Sequence, residues 1–181
     1  MLICACYGTQ LVSRAIQVGS INLWTPPRWP PSHVSLILKA TPEVEQITGD
    51  PYVWVESSTL IPRKCVLANR QVIGVQCHRI KDRWTDYPQG AVQLYKLIEP
   101  LSADEETFLS TFVFDALLKN YLPTSSSLIK QLLFKTNRVP LCSEFAKDVL
   151  VWAERSERHN RTWYSPGSFL REHINKTIIP I

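Results

Sequence analysis

Three side chains that together would make an activated nucleophile stand far apart in the sequence: a thiol at Cys142, an imidazole at His33 and a carboxylate at Glu56. A cysteine attacks a carbonyl carbon as its thiolate. It therefore needs a base within hydrogen-bond reach, and the base needs a polar partner that fixes its tautomer and steadies its imidazolium. Each residue also has an ordinary structural reading. Cys142 can be a small buried hydrophobe, His33 a solvated side chain at a strand start, and Glu56 an exposed carboxylate at a strand end. What separates the two readings is whether the local elements bring the three together.

Cys142 follows Val-Pro-Leu and opens the segment CSEFAKDVLVWA, where Phe145, Ala146, Val149 and Trp152 recur on one helical face. A helix over 142–153 puts the thiol at its first turn. There, unpaired N–H groups and the positive end of the helix dipole favour the thiolate. His33 heads HVSLILKA, whose alternation puts Val34, Leu36 and Leu38 on one face of a strand and His33, Ser35 and Ile37 on the other. In YVWVESS, Val53 and Val55 alternate with Tyr52, Trp54 and Glu56, so Glu56 ends a second strand on the face away from the valines.

Around these lie further elements. Residues 2–7 read as a short apolar strand, and Thr9 can cap a brief helix over 10–18 that Gly19 ends. The run TPPRWPP over 25–31 is a stiff loop, because proline removes donors and restricts its predecessor. A second loop carries Gly49, Asp50 and Pro51, and 72–77 and 91–98 read as strands. Ser102 followed by Glu105 is a capping-box signature for a helix with an apolar stripe of Phe108, Leu109, Phe112, Val113, Ala116 and Leu117. A further short helix is predicted over 128–134. The expected fold is α+β in one domain over 1–181, strand-rich to residue 100 and helix-rich from 101, with an antiparallel sheet or small barrel packed against helices.

The segments SHVSLIL, WVESS and LCSEFAKDVL, with Trp24-Thr25 before the histidine, resemble the permuted NlpC-type branch of the papain-fold cysteine hydrolases, the YiiX-like and YaeF-like proteins. Ile73-Gly74-Val75 after Glu56, and Ser165-Pro166-Gly167 followed by Phe169-Leu170, are similar to elements of the same family. The resemblance implies a circularly permuted papain-like fold, with Cys142 as nucleophile, His33 as base and Glu56 as the orienting third residue. Family members often open with a Gly-Asp turn, which is missing from residues 2–8, and some relatives carry Asn or His where this chain has Glu56.

The chemistry implied is acyl transfer through an acyl-enzyme, with no metal or organic cofactor. The Cys142 backbone N–H is one oxyanion donor, and Tyr7 and Trp24 are candidates for the second. Trp24, Trp29, Trp54 and Leu23 are candidate walls of an apolar groove. The expected reaction is hydrolysis of an amide bond in a peptide or peptidoglycan-like substrate. Cleavage or transfer of ester, thioester or lipid-like acyl groups is the alternative, and a catalytically silent binding module is the alternative of another class.

Composition narrows the rest. A chain of 181 residues with 45% hydrophobic and 20% charged residues is an ordinary globular chain. Its formal charge of +4 comes from Lys and Arg scattered among acids, so no nucleic-acid partner is expected. Cys4, Cys6, Cys65, Cys77 and Cys142 form no CxxC pair and no zinc spacing, and an odd count is awkward for a disulfide framework, so reduced thiols and a cytoplasmic setting are expected. No stretch has the length of a membrane span or the pattern of a secretory signal. Cys77-His78 reads as structural because neighbours in a strand point to opposite faces. Cys4, Cys6 and Cys65 read as packing, and His159 and His173 as surface residues.

Overall fold

The computed structural model describes residues 1–19, 30–121, 142–157 and 165–181. Among these, the strands are β1 (Leu2–Cys6), β2 (His33–Lys39), β3 (Tyr52–Cys65), β4 (Arg70–Arg79), β5 (Val92–Leu97) and β6 (Ile178–Pro180). The helices are α1 (Leu11–Gly19), α2 (Pro42–Thr48), α3 (Ile80–Trp84), α4 (Ala103–Tyr121), α5 (Cys142–Trp152) and α6 (Pro166–His173). The fold is α+β, as expected. The strands form one antiparallel sheet in the order β4-β3-β2-β1-β5-β6, with β4 and β6 at its edges. The loop predicted over 25–31 falls largely outside the described residues, and the helix predicted over 128–134 does so entirely.

Two-residue alternation decides which side chains go where. Ile3, Ala5, Val34, Leu36, Val53, Val55 and Tyr95 form one face with Leu109, Val113, Phe114, Phe145, Val149 and Phe169 of α4, α5 and α6. The opposite face carries Cys4, Cys6, Ile37 and Trp54, covered by Ile80, Tyr87, Val92 and Leu94. Central strands β1 and β2 are thus buried on both sides, which is why their sequences are almost wholly apolar.

Besides α3 and β6, for which the sequence carries no expectation, three elements differ from the sequence expectation. α2 replaces part of the predicted loop: Thr41 caps its first turn, Pro42 sits at N1, and Gly49 closes it in the left-handed region at φ 73°. β3 runs on to Cys65, so Glu56 lies within a long strand rather than at its end. In α4 the capping box forms as read, with Ser102 N–H donating to Glu105 Oε2 at 2.7 Å and Glu105 N–H to Ser102 Oγ at 3.2 Å. The buried stripe of α4 is Leu109, Val113, Phe114 and Leu117, while Phe108 and Phe112 face outward.

The start of β2 is pinned by the segment after β1. Ser32 N–H donates to Cys6 O at 2.9 Å, and Gly8 N–H to Ser32 Oγ at 3.0 Å. A Cβ at Gly8 would lie 2.8 Å from Ser13 Cβ and 2.3 Å from its Oγ. Gly8→Ala is therefore expected to destabilise the fold by about 1–3 kcal/mol through overpacking, with partial recovery in Gly8→Ala/Ser13→Gly. Urea denaturation of the three proteins tests this, and equal midpoints for Gly8→Ala and the parent would refute it.

Candidate active site

α5 packs on the helical face of β2 and β3, and its first residue is Cys142. The thiol reaches the end of the sheet where β2 begins, and there it is hydrogen-bonded to the His33 ring. The backbone N–H groups of Val34 and Ser143 also donate to the sulfur. Burial alone would raise the Cys142 pKa, but the His33 charge and these donors outweigh burial and hold it below the ordinary thiol value.

His33 is partly exposed, and its Nε2 is bonded to Glu56 Oε2 at 2.9 Å. That engagement leaves Nδ1 as the nitrogen that serves the thiol. Burial lowers the His33 pKa, yet the Cys142 thiolate and the Glu56 carboxylate together raise it from 6.5 to about 10. The two shifts have one meaning: the pair is stabilised as thiolate and imidazolium rather than as two neutral groups.

Glu56 is fully buried. Its carboxylate accepts from Trp54 Nε1 at 2.9 Å and from Arg83 Nε at 2.9 and 3.0 Å, in addition to His33. Burial pushes its pKa up, but His33, His78 and Arg83 bring it well below the usual carboxylate range. Arg83 is itself buried and engages both of its other nitrogens, with Nη1 donating to Asp86 Oδ2 at 2.8 Å and Nη2 to Tyr87 Oη at 2.7 Å. Tyr87 and Trp84 in turn pack on Trp54 at centroid distances of 6.4 and 6.3 Å.

The structure thus brings Cys142, His33 and Glu56 together. Trp54 does not line a groove; it is wholly buried and supports the carboxylate. Tyr7 borders a cavity of about 560 Å³ with Trp84, Val92 and Leu94, and its backbone N–H is taken by Ala91 O at 2.7 Å. Trp24, Trp29 and Leu23 lie outside the described residues, as does His159. Cys4, Cys6 and Cys65 are buried, as expected of packing residues, and burial followed by the Glu56 charge pushes the Cys6 thiol up to about 12.

Two histidines depart from their expected places. His78 does point away from Cys77, but that direction carries its Nε2 to 3.5 Å from Glu56 Oε1. His173 is 2% exposed rather than a surface residue, because α6 seats it against Phe169 and within 3.4 Å of the buried Lys147 Nζ. Arg83 was not singled out by sequence. Its signal is faint: one cation in RIKDRWTD, a stretch that reads as solvated surface.

Family models, curated proteins and solved structures were each compared with this chain, and none matches. Among the described residues, no helix is long and apolar enough to cross a membrane.

Two measurements follow from the geometry. Arg83→Met is expected to destabilise the fold by about 3–5 kcal/mol, since it removes a permanent counter-charge and two hydrogen-bonded contacts from a buried carboxylate. Arg83→Lys should recover little of this, because an ammonium cannot reproduce the three directed contacts. Chemical denaturation reads both. The second concerns pH. The raised His33 pKa gives stability that is full below about 6.5 and lost as pH rises through about 10, whereas the lowered Cys142 pKa gives stability lost as pH falls through its folded value. Thermal midpoints of the parent should therefore drop more steeply than those of His33→Ala between pH 8 and roughly 10.5; parallel curves would argue against the ion pair.

Proposed function

We propose that this protein is a cysteine hydrolase that works through an acyl-enzyme, with Cys142 as nucleophile, His33 as acid and base, and Glu56 as the residue that orients His33. The observation that carries the reading is the continuous hydrogen-bonded chain from the Cys142 thiol through His33 to a buried Glu56 carboxylate. A merely structural cysteine has no use for such a partner, whereas a nucleophile requires it.

In the reaction, the thiolate attacks the carbonyl carbon of the substrate and its electron pair moves to the oxygen. Backbone N–H groups at the first turn of α5 are the nearest donors to that oxyanion. Collapse of the intermediate expels the amine or alcohol, which takes the Nδ1 proton of His33, and leaves a thioester on Cys142. Neutral His33 then removes a proton from water, the resulting hydroxide attacks the thioester, and the carboxylic acid and thiolate are released. Every proton is carried by His33, so this cycle runs without a metal or organic cofactor.

The substrate is proposed as an amide in a peptide or peptidoglycan-like molecule, with ester or thioester cleavage and acyl transfer as the second chemistry the same intermediate allows. The order of the functional residues, with His33 and Glu56 ahead of Cys142, supports a permuted papain-like arrangement of the NlpC type as part of the proposal. A cytoplasmic site of action belongs to the proposal as well, on the reduced state of all five cysteines.

Iodoacetamide labelling followed by mass spectrometry is the first test. Cys142 should be alkylated at pH 7, well below the free-thiol pKa of about 8.5, while Cys4, Cys6 and Cys77, whose thiols burial raises, should stay unmodified. His33→Ala should abolish the advantage at pH 7. Against a panel of peptide amides, aryl esters and acyl thioesters, Cys142→Ala should remove all turnover and His33→Ala should lower it by about 10²–10⁴-fold. Turnover of any panel member by folded Cys142→Ala at the parental rate would sink the hydrolase reading.

A further inference from the structure

At the β4 edge of the sheet, a cavity of about 700 Å³ opens between the ends of β3 and β4 and the helix α3 that follows. This volume lies within the range of small-molecule sites. Four cations line it, Arg63, Lys64, Arg79 and Arg83, together with His78 and the carboxylates of Asp82 and Asp86. Asp86 is already shared, since Arg63 Nη1 and Arg83 Nη1 each lie 2.8 Å from its Oδ2, and Arg83 also holds Glu56. Those two arginines and two carboxylates balance. Lys64 and Arg79 share the lining with Asp82 and have no ion pair among the described residues.

The wall also holds a donor with nothing to donate to: Arg79 Nε is buried with no hydrogen-bond partner. His78 is 7% exposed and has only a loose contact, its Nε2 lying 3.5 Å from Glu56 Oε1. Burying a donor unpaired is costly, and an acceptor brought into the cavity would remove that cost. A guanidinium fork beside an ammonium matches the spacing of oxyanion oxygens, and charge-assisted contacts of this kind are the strong ones.

We propose that this cavity binds a small oxyanion of phosphate type, held by Arg79, Lys64 and His78. The free ion and a phosphate monoester share this chemistry. A monoester's organic part would lie along Ile47, Val66 and Leu67, the apolar residues of the lining. The site is distinct from the thiol itself, since neither Lys64 nor Arg79 belongs to the Cys142–His33–Glu56 chain, although His78 and Arg83 border both the cavity and Glu56.

Isothermal titration of the full chain with inorganic phosphate and with phenyl phosphate, against chloride at matched ionic strength, tests the site. Saturable binding of at least one is expected. Equal affinity assigns the free ion, and tighter binding of phenyl phosphate assigns the monoester. Arg79→Gln should weaken the Kd by about tenfold or more. Lys64→Gln, at an exposed position whose loss does not threaten the fold, should also weaken it. Cys142→Ala should bind as the parent does, which keeps this result apart from the fate of the hydrolase reading. No binding above chloride, or binding unchanged in both Lys64→Gln and Arg79→Gln, would overturn the proposal.

Discussion

Taking the Glu56 carboxylate out of water costs several kcal/mol, and the fold retains the charge only because donors surround it on every side. His33, Trp54 and Arg83 reach its two oxygens, and each comes from a different element: the start of β2, the same strand two residues earlier, and the helix α3. Much of the architecture on this face of the sheet follows from that requirement. α3 must lie where Arg83 can reach inward, Tyr87 and Trp84 must cover Trp54, and Asp86 must occupy the outer nitrogen of the guanidinium. The polar seam is longer than the reaction chain needs. Gln76, opposite Glu56 in register, is fully buried with neither amide atom bonded among the described residues.

The two faces of the sheet divide the work. The helical face supplies the bulk of the core and carries α5, whose N-terminus delivers Cys142 to the end of β2. The other face holds the carboxylate and its supports. His33 can join them because it is the first residue of its strand: its ring belongs to the Glu56 face, while the backbone of the next residue, Val34, donates to the Cys142 sulfur. A histidine one turn of the pleat further along would be enclosed between β1 and β3 and out of the thiol's reach. The position at the strand's mouth is thus a geometric condition for linking chemistry drawn from opposite sides of one sheet.

This division also explains what the amino-acid sequence made legible. Strand alternation put His33 and Glu56 away from their neighbouring valines, and helix periodicity put Cys142 at a first turn; both are local properties, and both hold in the structure. α2 carried equally local signals, a Thr-Pro start and a glycine stop, but spans only seven residues between loop-like segments. Arg83, His78 and His173 depended on something else. Nothing in the neighbourhood of a charged or titratable side chain states which buried partner it will meet 22 to 27 residues away. Arg83 read as surface because its neighbours are polar, and His173 because the Lys147 that it meets lies on another helix. The comparisons with known proteins add no family to this picture, so the reading of function rests on the constellation itself.

The charge on the third residue then shapes the state in which the nucleophile waits. Burial by itself favours a neutral thiol beside a neutral imidazole, since it raises one pKa and lowers the other. The attraction between the Cys142 thiolate and the His33 imidazolium does most to reverse that tendency. An ionised carboxylate 2.9 Å from Nε2 adds to it by favouring the proton on the ring, which a neutral amide in place of Glu56 would not do by charge. Arg83 does not cancel this effect, because it touches Glu56 and not His33. Its charge acts on the carboxylate, joining His33 and His78 in keeping it ionised where an isolated buried Glu would have protonated. The acid limit of the ion pair is therefore set by Cys142, whose thiolate His33 and the backbone donors of Val34 and Ser143 favour, and the alkaline limit by His33.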